Sequence, residues 1–144
     1  MPYTYRVEDG YVSIGLTGTV TPYDLLEIAR RFRESEAATG ITPHRVTDLS
    51  GAEEVTMNFP EIDSYTSLLR SAKWRNDAKS AIVTRTAAHY GMARMFQTLA
   101  ENPQVEVRIF ADTQSALQWV RQDNPAPGRE SPKLPPDPSP ASGA

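Results

Sequence analysis

The stretch "HRVTDLSGAEEVTMNF", residues 44–59, decides the architecture. "HRVTDL" reads as a buried strand, the chain then turns acidic as a loop does, and Asn58, just before Phe59 and Pro60, stands where a helix cap belongs. A strand that hands over to a helix is the repeating unit of layered α/β sheets. It also raises the functional question of whether Asp48 and Ser50, at the predicted strand end, carry chemistry.

Upstream, "YTYRV" and "YVSIGL" alternate apolar and polar residues around Asp9-Gly10, a strong hairpin signal, so they are expected to pair antiparallel. "TPYDLLEIARRF" follows, with Thr21 as cap, Pro22 at the first helical position and Asp24 three residues past the cap. Leu25, Ile28, Ala29 and Phe32 fall at helical spacing, and Gly40 closes the segment. Downstream, the helix begun at Asn58 turns Ile62, Tyr65, Leu69 and Ala72 inward. "KSAIVT" is a short apolar strand of the kind buried on both faces of a parallel sheet. "AAHYGMARMFQTLAE" is a helix, "VEVRIF" a strand with one wetter face, and "DTQSALQWVRQ" a closing helix capped by Asp112 or Thr113. The order β-β-α-β-α-β-α-β-α predicts one α/β layered domain. Its five-stranded, mostly parallel sheet has one antiparallel strand from the N-terminal hairpin, with helices packed over it.

With 144 residues and 39% hydrophobic content, the chain supports one core rather than two. The 15 basic and 18 acidic residues are dispersed and leave a net charge of −3, which argues against nucleic acid as a partner. Without cysteine there is neither a disulfide framework nor a thiolate metal site, in keeping with a reducing compartment. "MPYTYRVEDGYV" lacks a basic region followed by an apolar run, and no window suits a membrane span, so a cytoplasmic protein without membrane insertion is expected. After Gln122 the composition changes: residues 123–144 hold seven of the twelve prolines and no aromatic residue. Such a segment cannot offset an ordering cost of roughly 1–2 kcal/mol per residue. A disordered Pro-rich tail is therefore expected, favoured over a polyproline ligand built on "PKLPP", and the folded domain spans residues 1–122.

Three stretches, "DLSG" at 48–51, "YGMARMFQTLAE" at 90–101 and "VRIFADTQSALQWV" at 107–120, resemble the SpoIIAA-like family, whose fold belongs to the STAS and SEC14 (CRAL-TRIO) class. The likeness of pattern covers roughly residues 3–121. It implies a small non-enzymatic binding or interaction domain. In the anti-sigma factor antagonists that share the fold, a D-S-S-G stretch follows the strand and its second serine caps a helix and is phosphorylated. "DLSGAEEVTMNF" lays Thr56, Met57, Asn58 and Phe59 on that pattern, so asparagine replaces the phospho-acceptor. Asn58 keeps the cap but has no hydroxyl to modify, and Thr56 is the nearby residue that does.

In open α/β sheets ligands sit beyond the carboxyl ends of the strands. That places Asp48, Ser50, Thr84, Arg85 and Tyr90 around a predicted cleft for a small apolar or lipid-like ligand. For Asp48 and Ser50 the plainer reading, that they satisfy backbone donors in a turn, is favoured. Thr84, Arg85 and Thr86 stand at a helix N-terminus that attracts anions, but no Gly-rich loop or Walker lysine accompanies them, and a solvated arginine is favoured. Ser50, His89 and Asp48 supply a hydrolase triad in type, yet there is no G-x-S-x-G elbow, so catalysis is not expected. His44 and His89, the only histidines, fit no metal frame; no metal and no cofactor is expected, and both rings are read as solvated. Met92, Met95 and Phe96 are read as core in preference to the wall of an apolar cleft, a role that methionines nonetheless suit. The second reading is a regulatory protein-interaction module of the antagonist type without the phosphoserine switch, docking through a flat patch of Met57, Phe59 and Trp74. A homodimer is expected in either case.

Overall fold

The computed structural model describes residues 2–122. The opening hairpin is β1 (Tyr3–Val7) and β2 (Tyr11–Val20), antiparallel, with Tyr3 opposite Leu16 and Val7 opposite Val12. Gly10 takes a φ of 87° in the turn between them, a conformation that favours glycine. There follow α1 (Pro22–Thr39), β3 (His44–Val55), α2 (Phe59–Ser71), β4 (Ala78–Val83), α3 (Ala87–Leu99), β5 (Val105–Phe110) and α4 (Thr113–Val120). The sheet order is β1-β2-β3-β4-β5, and every pairing after the first is parallel. This is the α/β arrangement that the alternating pattern predicts. The predicted tail at 123–144 lies outside the described residues. Among those residues no helix is long and apolar enough to cross a membrane.

Each parallel pair is joined through a helix, and right-handed crossovers that always step the same way put α1, α2 and α3 side by side on one face. Their core joins Val12, Ile14, Leu16, Ile28, Phe32, Leu49, Leu69, Trp74 and Ile82. Among the described residues α4 alone covers the other face, where Trp119, Val120 and Ala116 pack on Tyr11, Val46, Ala81 and Val83. β4, between the two layers, is buried at all six positions. Its Lys79 is 2% exposed, and the ammonium donates to the Trp119 carbonyl at 2.9 Å, neutralising the carboxyl end of α4.

The caps are those the sequence predicts. Thr21 Oγ1 accepts from the Asp24 amide at 3.3 Å while the Thr21 amide donates to the Asp24 carboxylate at 2.8 Å. At α2, Asn58 Oδ1 accepts from the Glu61 amide at 2.9 Å, and the Asn58 amide donates to Glu61 Oε1 at 3.0 Å.

One element differs from expectation. β3 does not end near Leu49; it runs on through the acidic residues to Val55. Past Asp48 it leaves β4 behind and pairs with β2 alone, Gly51 with Thr17 and Val20 with Val55. The acidic pair Glu53-Glu54 is exposed on this overhanging segment, while Ala52 is buried, so the strand is wet because it has lost a neighbour and not because it has become a loop. Register shifts between Asp48 and Gly51, and between Ala52 and Glu54, give β3 one extra residue each time, which bends and twists the strand over β2. At the first, a Cβ on Gly51 would lie 2.9 Å from the Leu16 carbonyl oxygen, a distance only glycine tolerates.

Candidate functional site

The bend in β3 and the three-helix layer enclose a cavity of about 280 Å³ between the sheet and α1, α2 and α3. Its floor is the inner face of three strands: Ile14, Leu16 and Val20 of β2, Arg45, Thr47, Leu49 and Val55 of β3, and Ser80 and Ile82 of β4. Its roof is Leu25 and Ile28 of α1, Ile62, Tyr65 and Thr66 of α2, and Met92, Ala93, Met95 and Phe96 of α3, with Met57 from the loop before α2. Strand residues alternate faces, so Arg45, Thr47 and Leu49 look inward while Val46 and Asp48 look toward α4. The space is left open because the floor is built from Thr47 and Ser80 where larger apolar residues would fill it, and Ala93 is the small residue of α3 facing them. Val20, Val55 and Met57 bring the cavity to the carboxyl ends of β2 and β3, and Met95, 36% exposed, meets solvent at its edge.

At the opposite end, near the start of β3, stands Arg45. It is next to Ser80 across the β3–β4 ladder, and its guanidinium lies 4.5 Å from the centre of the Phe32 ring. Arg45 is half-buried and lines the cavity. Burial pushes its pKa down while the Tyr65 and Tyr5 phenols oppose the shift, and arginine remains a cation throughout. Burial also pushes the Tyr65 phenol up, against the pull of Arg45. Among the described residues no carboxylate and no hydrogen-bond acceptor meets the Arg45 side chain. The hydroxyls of Thr47, Ser80 and Tyr65 likewise make no side-chain hydrogen bond there, whereas Thr66 donates to the Ile62 carbonyl at 2.8 Å.

The residues singled out from the sequence lie elsewhere. Asp48 sits within β3, on the face away from the cavity, and its Oδ1 accepts from the Ser50 amide at 2.9 Å. Asp48 thus satisfies a backbone donor within the bulge, the main-chain amide of Ser50. Thr84 is buried just past β4, its amide donating to the Phe110 carbonyl at 2.9 Å; Arg85 is exposed beside it, and Tyr90 is 51% exposed on α3. None of the five lines the cavity. The space lies between layers and is not a crevice beyond the strand tips, because the overhang of β3 carries the floor past the ends of its neighbours. Met92, Met95 and Phe96, read as core, line it instead.

The patch of Met57, Phe59 and Trp74 is divided as well. Phe59 is 62% exposed, Met57 turns to the cavity, and Trp74 is 9% exposed, edge-on to Phe32 at 5.5 Å with Arg33 stacked at 4.2 Å. Thr56 is exposed, and its hydroxyl donates to the Val20 carbonyl at 3.3 Å. Neither histidine is simply solvated. His44 Nδ1 accepts from the Lys79 amide at 2.9 Å, and burial, with Lys79 nearby, holds its pKa below the ordinary histidine value. His89 Nε2 bonds the Ala52 carbonyl at 2.9 Å, and its buried Nδ1 has no partner among the described residues, so no hydrogen bond links it to Ser50. The same residues hold no group of three or more metal-ligating side chains.

Arg45 was legible in principle. A strand with apolar helices on both sides has no solvent face, so an arginine in line with Leu49 was a polar residue at a core position.

No protein-family model matches the chain, and no curated protein does. Among solved structures, the chain is similar to an uncharacterized protein of the DUF3478 family with a SpoIIAA-like fold from Shewanella loihica. The two are 15% identical, with a TM-score of 0.58, over 82% of this chain and 93% of that one. The chain thus has a SpoIIAA-like fold, and the likeness extends to fold alone.

Proposed function

We propose that this domain is a non-enzymatic binding module whose interlayer cavity receives a small, partly apolar ligand. The observation that carries the reading is the cavity itself: about 280 Å³ of space walled mainly by aliphatic, aromatic and methionine side chains. Water covers so apolar a lining at a cost in free energy, and an apolar occupant relieves that cost. Its volume is close to the lower end of about 300–1,000 Å³ typical of ligand pockets, which suits one small molecule and not a two-chain lipid. The roof rests on Met92 and Met95, whose unbranched side chains adapt to differing shapes.

Native mass spectrometry of the protein purified from its own host tests this, together with Thr47→Phe, which places a ring on the cavity floor where a strand accommodates it. The expected result is a retained small molecule on the wild-type chain that is absent from a folded Thr47→Phe variant. Equal retention by both places the molecule outside the cavity and removes the reading. The same spectrum counts subunits, and so addresses the homodimer that we include in the proposal.

A further inference from the structure

The polar groups of the cavity are not scattered. Arg45 and Ser80 are partners across β3 and β4, Thr47 is the next inward residue after Arg45, and Tyr65 comes down from α2. All four side chains have hydrogen-bonding capacity that no described residue uses, and no aspartate or glutamate lines the space with them. From Arg45 to Leu49 the floor runs about 13 Å along the strand, and beyond Thr47 it is aliphatic up to Val55. One cation and several donors thus stand near the start of β3, and the floor beyond them is hydrocarbon.

Resting on the proposed binding function, we infer that the ligand is an apolar monocarboxylate whose carboxylate pairs with Arg45 and whose hydrocarbon part lies toward Val20, Val55 and Met57. A carboxylate is the anion that a single guanidinium matches, two parallel N–H donors to two oxygens. The hydroxyls of Ser80 and Tyr65 supply further donors to its remaining lone pairs. A phosphate monoester would bring a second charge that no other cation lining the cavity answers. A neutral alcohol would leave the guanidinium unpaired, and an ammonium amphiphile would oppose it. The Phe32 ring, 4.5 Å from the guanidinium carbon, packs against it without consuming its donors.

Isothermal titration of the full chain with decanoate, 1-decanol and decylamine, each below its aggregation concentration, tests the inference. Decanoate is expected to bind about 10- to 100-fold more tightly than decanol, the range for a hydrogen-bonded charge pair, and decylamine more weakly than either. In Arg45→Met, decanoate should fall to the level of decanol while decanol itself binds as before. Arg45→Gln, a polar replacement, repeats the measurement should the methionine variant misfold. Decanol binding as tightly as decanoate in the wild type overturns the carboxylate inference and leaves the binding function standing. Decylamine equal to decanoate does the same. Binding by none of the three overturns both.

Discussion

An arginine kept for a ligand should be a burden to the empty protein, and Arg45→Met measures that burden. The substitution removes a half-buried cation and places an unbranched apolar chain of similar length against the same ring. What is lost is the stacking of the guanidinium on Phe32 at 4.5 Å, worth roughly 1–2 kcal/mol in a partly desolvated setting. A thioether on the same ring returns about 0.3–1.5 kcal/mol. What is relieved is the desolvation of an ion without a counter-charge, several kcal/mol in a closed interior and less here because the cavity admits water. The balance is a gain of about 1–2 kcal/mol, which for a domain of this size raises Tm by roughly 4–8 °C. Thermal unfolding of the ligand-free protein, followed by circular dichroism, reads it directly. Arg45→Lys, which retains the charge, should show no such gain. A fall in Tm of several degrees for Arg45→Met would mean that the guanidinium holds the fold together, and the case for a waiting counter-ion would collapse.

Glu36, 4% exposed, accepts from the Thr42 hydroxyl, from the Arg75 amide at 3.2 Å and from Arg33 at 3.1 Å, so Glu36→Ala strips three donors at once and should lower stability by about 3 kcal/mol in urea unfolding. Burial works to raise the Glu36 pKa, but those hydrogen bonds outweigh it and hold the group below the ordinary carboxylate value. Its contribution is therefore complete above about pH 4.3 and is lost as pH falls through the lower folded-state pKa, a slope that Glu36→Ala should flatten. His44 titrates with the same sign: its folded pKa is depressed, so the unfolded chain takes up the proton first and stability drops as pH falls below about 6.5. His44→Asn, which keeps an acceptor for the Lys79 amide, should remove that part of the decline in Tm measured between neutral and mildly acid pH. Asn58→Ala, which abolishes the reciprocal cap with Glu61, should cost about 1 kcal/mol, read as a shift of the urea midpoint with unchanged slope.

The element order was legible because each helix carries its own start signal and each strand its own period. Thr21 with Asp24, Asn58 before Pro60, and the apolar run of β4 are local features, and local features survive in a linear text. The cavity is not local. Whether Met92 fills space or borders it depends on how far α3 stands from β3, which is set by the sizes of Thr47, Ser80 and Ala93 together. The acidic run after Gly51 misled for a related reason: Glu53 and Glu54 are exposed because β4 stops at Val83, and nothing in residues 51–55 announces where a different strand ends. Asp48 and Ser50 drew attention as polar residues near a strand end, and the bond from the Ser50 amide to the Asp48 carboxylate lies within the bulge. Arg45 was the informative residue, an arginine in the register of Leu49, and only the placement of helices on both faces gives that position its meaning.

The strands lie across the sheet in the order in which they are translated. No later strand has to be inserted between two earlier ones, so the sheet can grow outward from the hairpin as the polypeptide leaves the ribosome, each new strand adding to an edge already formed. α4 comes last and seals the far side only after β5 has joined. A chain stalled before residue 113 would display Tyr11, Val46, Ala81 and Val83 as a bare apolar wall, so this face of the sheet depends on eight residues of helix for its cover.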